Sequence, residues 1–288
     1  MFLQRSTWQL LRFHFSLFLL PVYLFAISQA PSIDWTKAAL SFIIFHLLVY
    51  PSSNGYNSYM DRDESPIGGL AKPLQPTRQL FYVSVVMDAA ALLLSFIVSP
   101  VFAAGVLLYI AASRAYSYRG IRLKKYPLLG FLVVFIFQGG AIFFITYAAC
   151  TQVSAIDVPL LPCLASSLLV GASYPLTQVY QHAQDKEDGV TTISYVLGKR
   201  GTFIFSGALF LAAAIVLFFL FSGQQSVNLF WIFLFYTGPV VYYFVRWLLK
   251  VWQQESAADF KHSLWMNIIS TLCLTLFFST LILIKYFE

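Results

Sequence analysis

Six of the twelve acidic residues of this 288-residue chain fall in two short clusters. The first reads Asn54-Gly55-Tyr56-Asn57-Ser58-Tyr59-Met60-Asp61-Arg62-Asp63-Glu64, the second Gln181-His182-Ala183-Gln184-Asp185-Lys186-Glu187-Asp188-Gly189. Each follows a long apolar run. Asn57 and Asp61 are four apart, Gln181 and Asp185 repeat that spacing, and Asp188 is three further on. Where the preceding helix continues, residues at these spacings share one face. Each cluster then offers oxygen ligands on one side of a helix end. A hard divalent cation such as Mg²⁺ needs few carboxylates and fills its octahedron with water and phosphate oxygens. Two such clusters facing each other would clamp a polyphosphate through bridging metal ions and stabilise the charge on a departing pyrophosphate. The plainer alternative is two solvated helix ends. Carboxylates this dense at a membrane edge argue against it, because they are costly there without a partner.

A third segment supplies the complement. Tyr116-Ser117-Tyr118-Arg119-Gly120-Ile121-Arg122-Leu123-Lys124-Lys125-Tyr126-Pro127, with Arg114 just before it, carries five cations. Such cations suit phosphate oxygens that metals leave free, arginine in particular through bidentate contact. An ordinary basic loop of a membrane protein has the same composition.

The elements that must position these residues are transmembrane helices. The chain is 59% hydrophobic and 10% charged, against about 25% charge in a soluble domain. Windows of about 20 apolar residues predict an all-α, polytopic membrane protein of about nine spans. These lie at about 10–29, 36–53, 79–97, 99–117, 127–149, 156–180, 203–222, 227–249 and 264–286. Residues 15–30 read as the first span rather than a cleavable signal peptide. Pro127 opens the fifth span and Pro175 is expected to kink the sixth. With nine spans, 16 of the 18 Lys and Arg residues fall on one side, leaving only Lys37 and Lys285 opposite. The positive-inside bias makes the side that carries the N-terminus and both acidic clusters cytoplasmic. Because the basic residues are spread over five loops without a binding motif, nucleic acid is excluded as a partner and the bilayer is the expected environment. Cys150, Cys163 and Cys273 have no CxxC or Cys/His spacing and read as buried apolar residues. The whole chain reads as one domain of two related four-helix units, about 10–117 and 127–249, plus a last helix at about 264–286.

These motifs resemble those of the UbiA superfamily of intramembrane prenyltransferases. The first cluster is similar to that family's Asn-x-x-x-Asp motif, here Asn57 to Asp61. Residues 116–130, YSYRGIRLKKYPLLG, resemble its segment between the fourth and fifth spans. Asp185-x-x-x-Gly189-Val190-Thr191-Thr192-Ile193, followed by Val196-Leu197-Gly198, resembles its second aspartate motif. The resemblance implies a helix bundle around a central cavity open laterally to lipid. It implies Mg²⁺-dependent transfer of a prenyl group from a prenyl diphosphate donor to an aromatic or lipid acceptor. Asn57 and Asp61 would serve one metal and Asp185 a second, with Asp188 beside it. Tyr118 and Arg122 would hold substrate together with Lys124 and Gln181, and Arg12 matches a family arginine in the first span. The chain departs from the pattern at Ser58, Ser65 and Gln181, where the family often has aspartates. Asp63, Glu64, Glu187 and Asp188 are the nearby charges.

Asp88 is a lone carboxylate inside the third span, placed either to face the cavity or to bond a neighbouring helix. Gln138 with Gly139-Gly140 in the fifth poses the same pair of roles, polar cavity group or close helix packing. Tyr56, Tyr59 and Tyr180 are candidates to stabilise a carbocation through their ring faces, or members of an interfacial aromatic belt. Two other functions fit the same residues. A cation transporter would use the acids as a pathway, although coupling sites usually lie near the bilayer midplane. A protein that binds or hydrolyses a prenyl diphosphate without transfer would need only the rim.

Overall fold

The computed structural model describes residues 3–151 and 153–287. Nine long helical rods account for most of them. They are α1 (Arg5–Gln29), α2 (35–61), α3 (Arg78–Val98), α4 (Pro100–Ser117), α5 (Pro127–Cys150), α6 (Leu160–Thr177), α7 (Ile193–Gly223), α8 (Val227–Gln253) and α9 (Phe260–Phe287). A short helix, His182–Glu187, lies between α6 and α7. All but α2 are long and apolar enough to cross a membrane by composition. The exception has the length, but its second half, Tyr50–Asp61, is the polar segment that carries Asn57 and Asp61.

Local sequence explains where the rods start and stop. Pro100 and Pro127 sit at first-turn positions, where the missing N–H costs nothing. Asp34, Ser99 and Thr192 cap α2, α4 and α7 by accepting from the backbone N–H three residues on, at 3.0, 3.1 and 3.2 Å. The sixth span is shorter than expected: regular helix ends at Ser173 and Pro175–Thr177 forms a 3₁₀ turn. The seventh starts ten residues earlier than the apolar window implies, at Ile193, because its polar first turns are held by neighbours. Arg200 donates to the Trp252 carbonyl at 2.9 Å and Lys199 to that of Glu255 at 3.1 Å. Gly198, at φ 66° and ψ 172°, kinks this helix at the same level.

The bundle has two chemically distinct ends. At one, the connections 62–77, 118–126, 178–192 and 254–259 are knitted together. Gln184 donates to Asp63 at 2.7 Å, Gln181 to the Pro66 carbonyl at 3.2 Å and Arg119 to the Met60 carbonyl at 2.8 Å. The other end holds Lys37 and Lys285, the latter bonded to the Ala30 carbonyl, and a strut from Asp34 N–H to the Cys150 carbonyl at 2.9 Å. Between the ends, large apolar side chains such as Leu93 (71% exposed) and Phe235 (80%) cover the outside, which is what a lipid-facing wall requires. Gly139 lies so close to α6 that a Cβ there would stand 2.4 Å from the Cα of Ser167, and Ser167 Oγ accepts from Gly140 N–H at 2.8 Å. The two glycines therefore serve close helix packing.

Candidate active site

A cavity of about 300 Å³ runs from the knitted end into the bundle. Its lining mixes apolar and polar groups. α1 and α9 contribute Phe18, Val22, Phe25, Leu274 and Phe278 beside Asn267 and Thr271, while α2, α4, α5 and α6 contribute Tyr50, Asn57, Tyr109, Gln138 and Ser166 beside Val134, Phe137 and Leu169, with Gln178 just past α6. Asp61, Asp63, Lys124, Gln181, Asp185 and Arg12 stand at the mouth, under Ile67 and Gly68 of the α2–α3 connection.

α2 delivers Asn57 and Asp61 to the cavity on one face, as four-residue spacing requires. Asn57 Oδ1 accepts from Ser117 Oγ at 2.9 Å. Asp61 is 6% exposed and is gripped by two cations, Lys124 and, at 3.5 Å, Arg122. Arg122 also bonds Asp188, at 3.1 Å to its carbonyl and 3.5 Å to its carboxylate. Asp188 therefore sits outside the cavity lining, on the far side of Arg122, rather than sharing the face of Gln181 and Asp185. The reason is local: the short helix spans only His182–Glu187, with Asp188 as its C-cap. Asp185 and Gln181 both line the cavity, and the Asp185 N–H bonds the Gln181 carbonyl at 2.9 Å. Tyr118 is not brought to the cavity. It is 49% exposed, with its ring against Gly120. Arg12 is 5% exposed and donates to the carbonyls of Gly68 and Asn54 at 3.0 and 3.2 Å, tying α1 to the mouth.

The cluster also includes a residue that spacing alone does not select. On a continued helix, Asp63 would face away from Asp61. The helix ends instead at Arg62, in the left-handed region at φ 57°, and the chain turns Asp63 back into the lining. Arg12 (φ 48°) and Arg122 (φ 50°) share this rare conformation, the kind of backbone strain that concentrates at functional sites. Tyr116 and Tyr174, hydroxyl to hydroxyl at 2.5 Å, are a second pair at the cavity wall. No charge marks them in the sequence.

Burial dominates the electrostatics of the mouth. It lifts Asp185 to about 7, opposed by Lys124 and reinforced by Asp63 and Asp61. It lifts Asp63 to about 6, with Asp61 adding to the effect and Lys124 and Arg12 opposing it. Asp185 Oδ2 is buried without a hydrogen-bond partner. Such an orphaned carboxylate oxygen among mutually repelling acids fits a hard cation. Among the described residues no three His, Cys, Asp or Glu side chains form a metal cage by themselves, so an ion here would complete its shell with amide and ligand oxygens.

The other candidates resolve by position. Asp88 stands outside the cavity lining, bonded to Arg114 of α4 and Ser52 of α2, so it ties helices together. Gln138 lines the cavity. None of Tyr56, Tyr59 and Tyr180 does: the guanidinium of Arg114 covers the Tyr56 ring at 4.0 Å, Tyr59 packs on Phe81 at 5.3 Å and Tyr180 on Phe260 at 5.4 Å.

Solved structures share this architecture. A UbiA homologue from Archaeoglobus fulgidus bound to GPP and Mg²⁺ superposes with a TM-score of 0.68 at 18% identity, over 96% of this chain and 99% of that one. An apo UbiA homologue from Aeropyrum pernix K1 gives 0.67 at 19% identity, over 92% and 98%. A digeranylgeranylglyceryl phosphate synthase gives 0.62 at 19% identity, over 96% and 98%. At these identities the likeness is one of fold. No curated protein sequence matches the chain significantly. The sequence model of the UbiA prenyltransferase family matches residues 17–281. With that match over nearly the full length and the same fold in three solved relatives, the chain belongs to the UbiA prenyltransferase family.

Proposed function

We propose that this protein transfers a prenyl group from a prenyl diphosphate to an aromatic or lipid acceptor inside the membrane, with Mg²⁺ at the cavity mouth. The observation that carries the reading is the meeting of Asp61, Asp63 and Asp185 with Lys124 and Arg12 at the mouth of a cavity with apolar side chains in its lining. Asp61, Asp63, Asp185, Asn57 and Gln181 supply the oxygens that would hold the metal. Bound there with the diphosphate, Mg²⁺ would neutralise the charge of the leaving group. The chain's own residues do the rest. Lys124 and Arg122 bind phosphate oxygens by exchanging part of their contact with Asp61. Arg12 holds the α2–α3 connection over the mouth and limits the entry of water. The apolar side chains of the lining, among them Phe18, Val22, Phe25, Leu274 and Phe278, take the prenyl tail, and polar groups such as Gln138 and Ser166 face the acceptor. The UbiA homologue from Archaeoglobus fulgidus, of the same fold, binds DMAPP and GPP with Mg²⁺, and the donor class proposed here follows it.

The segregation of Lys and Arg to the knitted end supports a cytoplasmic mouth. A transport role gains no support from the geometry, since Asp88, the one carboxylate in the eight candidate spans among the described residues, is paired with Arg114 away from the cavity. The test is diphosphate release in nanodiscs from geranyl, farnesyl and geranylgeranyl diphosphates, with a mixed acceptor pool, with and without Mg²⁺. Mg²⁺-dependent release with a prenylated product is the expected result. Release accompanied only by free prenol would make the protein a hydrolase, and no release would leave it a binder.

A further inference from the structure

The cavity has a floor. On α9 the lining stripe runs Asn267, Thr271, Leu274, Phe278. One turn on, the same stripe reaches Ile282, which lines a second hollow shared with Leu24 and Ile27 of α1 and Phe42 of α2. On α1 the deepest lining residue is Phe25, between Leu24 and Ile27 in sequence. The Phe25 and Phe278 rings stack at 4.6 Å with 19° between their planes, and both are 0% exposed. Phe143 braces Phe25 edge-on at 5.0 Å, and Phe277 braces Phe278 at 5.0 Å. This aromatic pair thus closes the deep end of the cavity.

We infer that the Phe25–Phe278 stack is the stop that limits how long a prenyl chain the protein accepts. The inference rests on the cavity being a prenyl diphosphate site. The tail, anchored by its diphosphate at the mouth, lies along the apolar side chains of the lining and ends against the stack. A longer tail has to displace two braced rings that have no room to move. Truncating either ring opens space beyond the present end of the cavity. The residue one turn above, Leu274, is where the stop can be raised.

The test measures binding of geranyl, farnesyl, geranylgeranyl and solanesyl diphosphates to nanodisc-embedded protein with Mg²⁺, by displacement of one radiolabelled donor, without acceptor. Wild-type protein is expected to show a length beyond which affinity drops. Phe25→Ala and Phe278→Ala are expected to move that limit up by at least one isoprene unit, with a gain of at least about tenfold for the first donor wild type rejects. Leu274→Trp, which fills space rather than removing it, is expected to move the limit down. Folding of each variant is checked by its elution profile in detergent. Folded variants that keep the wild-type limit overturn the inference while leaving the site reading intact. Failure of every donor to bind wild type overturns both.

Discussion

Lys124, on the connection between α4 and α5, bonds the carboxylate of Asp61 at the end of α2, 63 positions earlier in the chain. This contact and the one from Arg122 offset the burial of a carboxylate that is 6% exposed. The same cations that stabilise the mouth are those a diphosphate would recruit, so binding and stability share one set of contacts.

Asp61→Asn and Asp185→Asn keep shape and remove charge. Each is expected to lower Mg²⁺-dependent diphosphate release by at least about 100-fold while the protein still folds and inserts. Steady-state release assays in nanodiscs check this; near-normal turnover in both would refute the assignment of these residues.

Asp185 titrates near 7 and Asp63 near 6 in the folded protein, against 3.8 for an ordinary aspartate. The native state therefore holds more protons than the unfolded state across that interval. The contribution of this pair to stability is full at about pH 4 and declines as pH rises to about 7, then levels off. Melting temperatures in chelator across this range are expected to fall. Asp185→Asn is expected to flatten the upper part of the fall. Since Mg²⁺ displaces those protons, its affinity is expected to rise over the same window.

Asp88 and Arg114 form an ion pair inside the membrane span, backed by Ser52. Asp88→Ala leaves the guanidinium uncompensated, at an expected cost of about 3 kcal/mol. Asp88→Ala combined with Arg114→Met is expected to recover most of it. Thermal unfolding in a fixed detergent reads the difference, and equal loss in the single and double variants would show that the pair itself matters little.

Gly139→Ala places a Cβ 2.4 Å from the backbone of Ser167, which has nowhere to go. An expected loss of about 2 kcal/mol follows from the forced separation of α5 and α6. Gly207→Ala is the control: its Cβ meets Phe244 at an ordinary 3.5 Å, and in mid-helix the change is expected to be neutral or to stabilise by up to about 1 kcal/mol. Comparing their melting temperatures separates close approach from the general effect of glycine in a helix.

Much of this was legible in the sequence because bilayer physics is strict. Runs of about 20 apolar residues have to be helices, and four-residue spacing placed Asn57 with Asp61 before any contact was known. What could not be read depended on single backbone angles. The left-handed turn at Arg62 decides that Asp63 joins the cavity, and the end of the short helix at Glu187 decides that Asp188 does not. Tyr118 shows the limit of motif transfer, because its side chain follows the local turn at Gly120 and points out of the site. The start of α7 was misplaced because Lys199 and Arg200 interrupt the apolar run, and only their bonds to the end of α8 make helix there affordable.

The bonds that close the mouth join residues far apart in the chain: Gln184 to Asp63 across 121 positions, Gln181 to Pro66 across 115. A ribosome delivers α2 and its acidic end long before the segment that completes them. Through the insertion of α3 to α6, the nascent protein presents half a site with an uncovered cluster of acids at the membrane surface. The site is therefore completed late in biogenesis, its mouth once the Gln181–Gly189 segment has emerged and its cavity only when α9 has followed. A chain arrested before that point would be membrane-inserted and inactive.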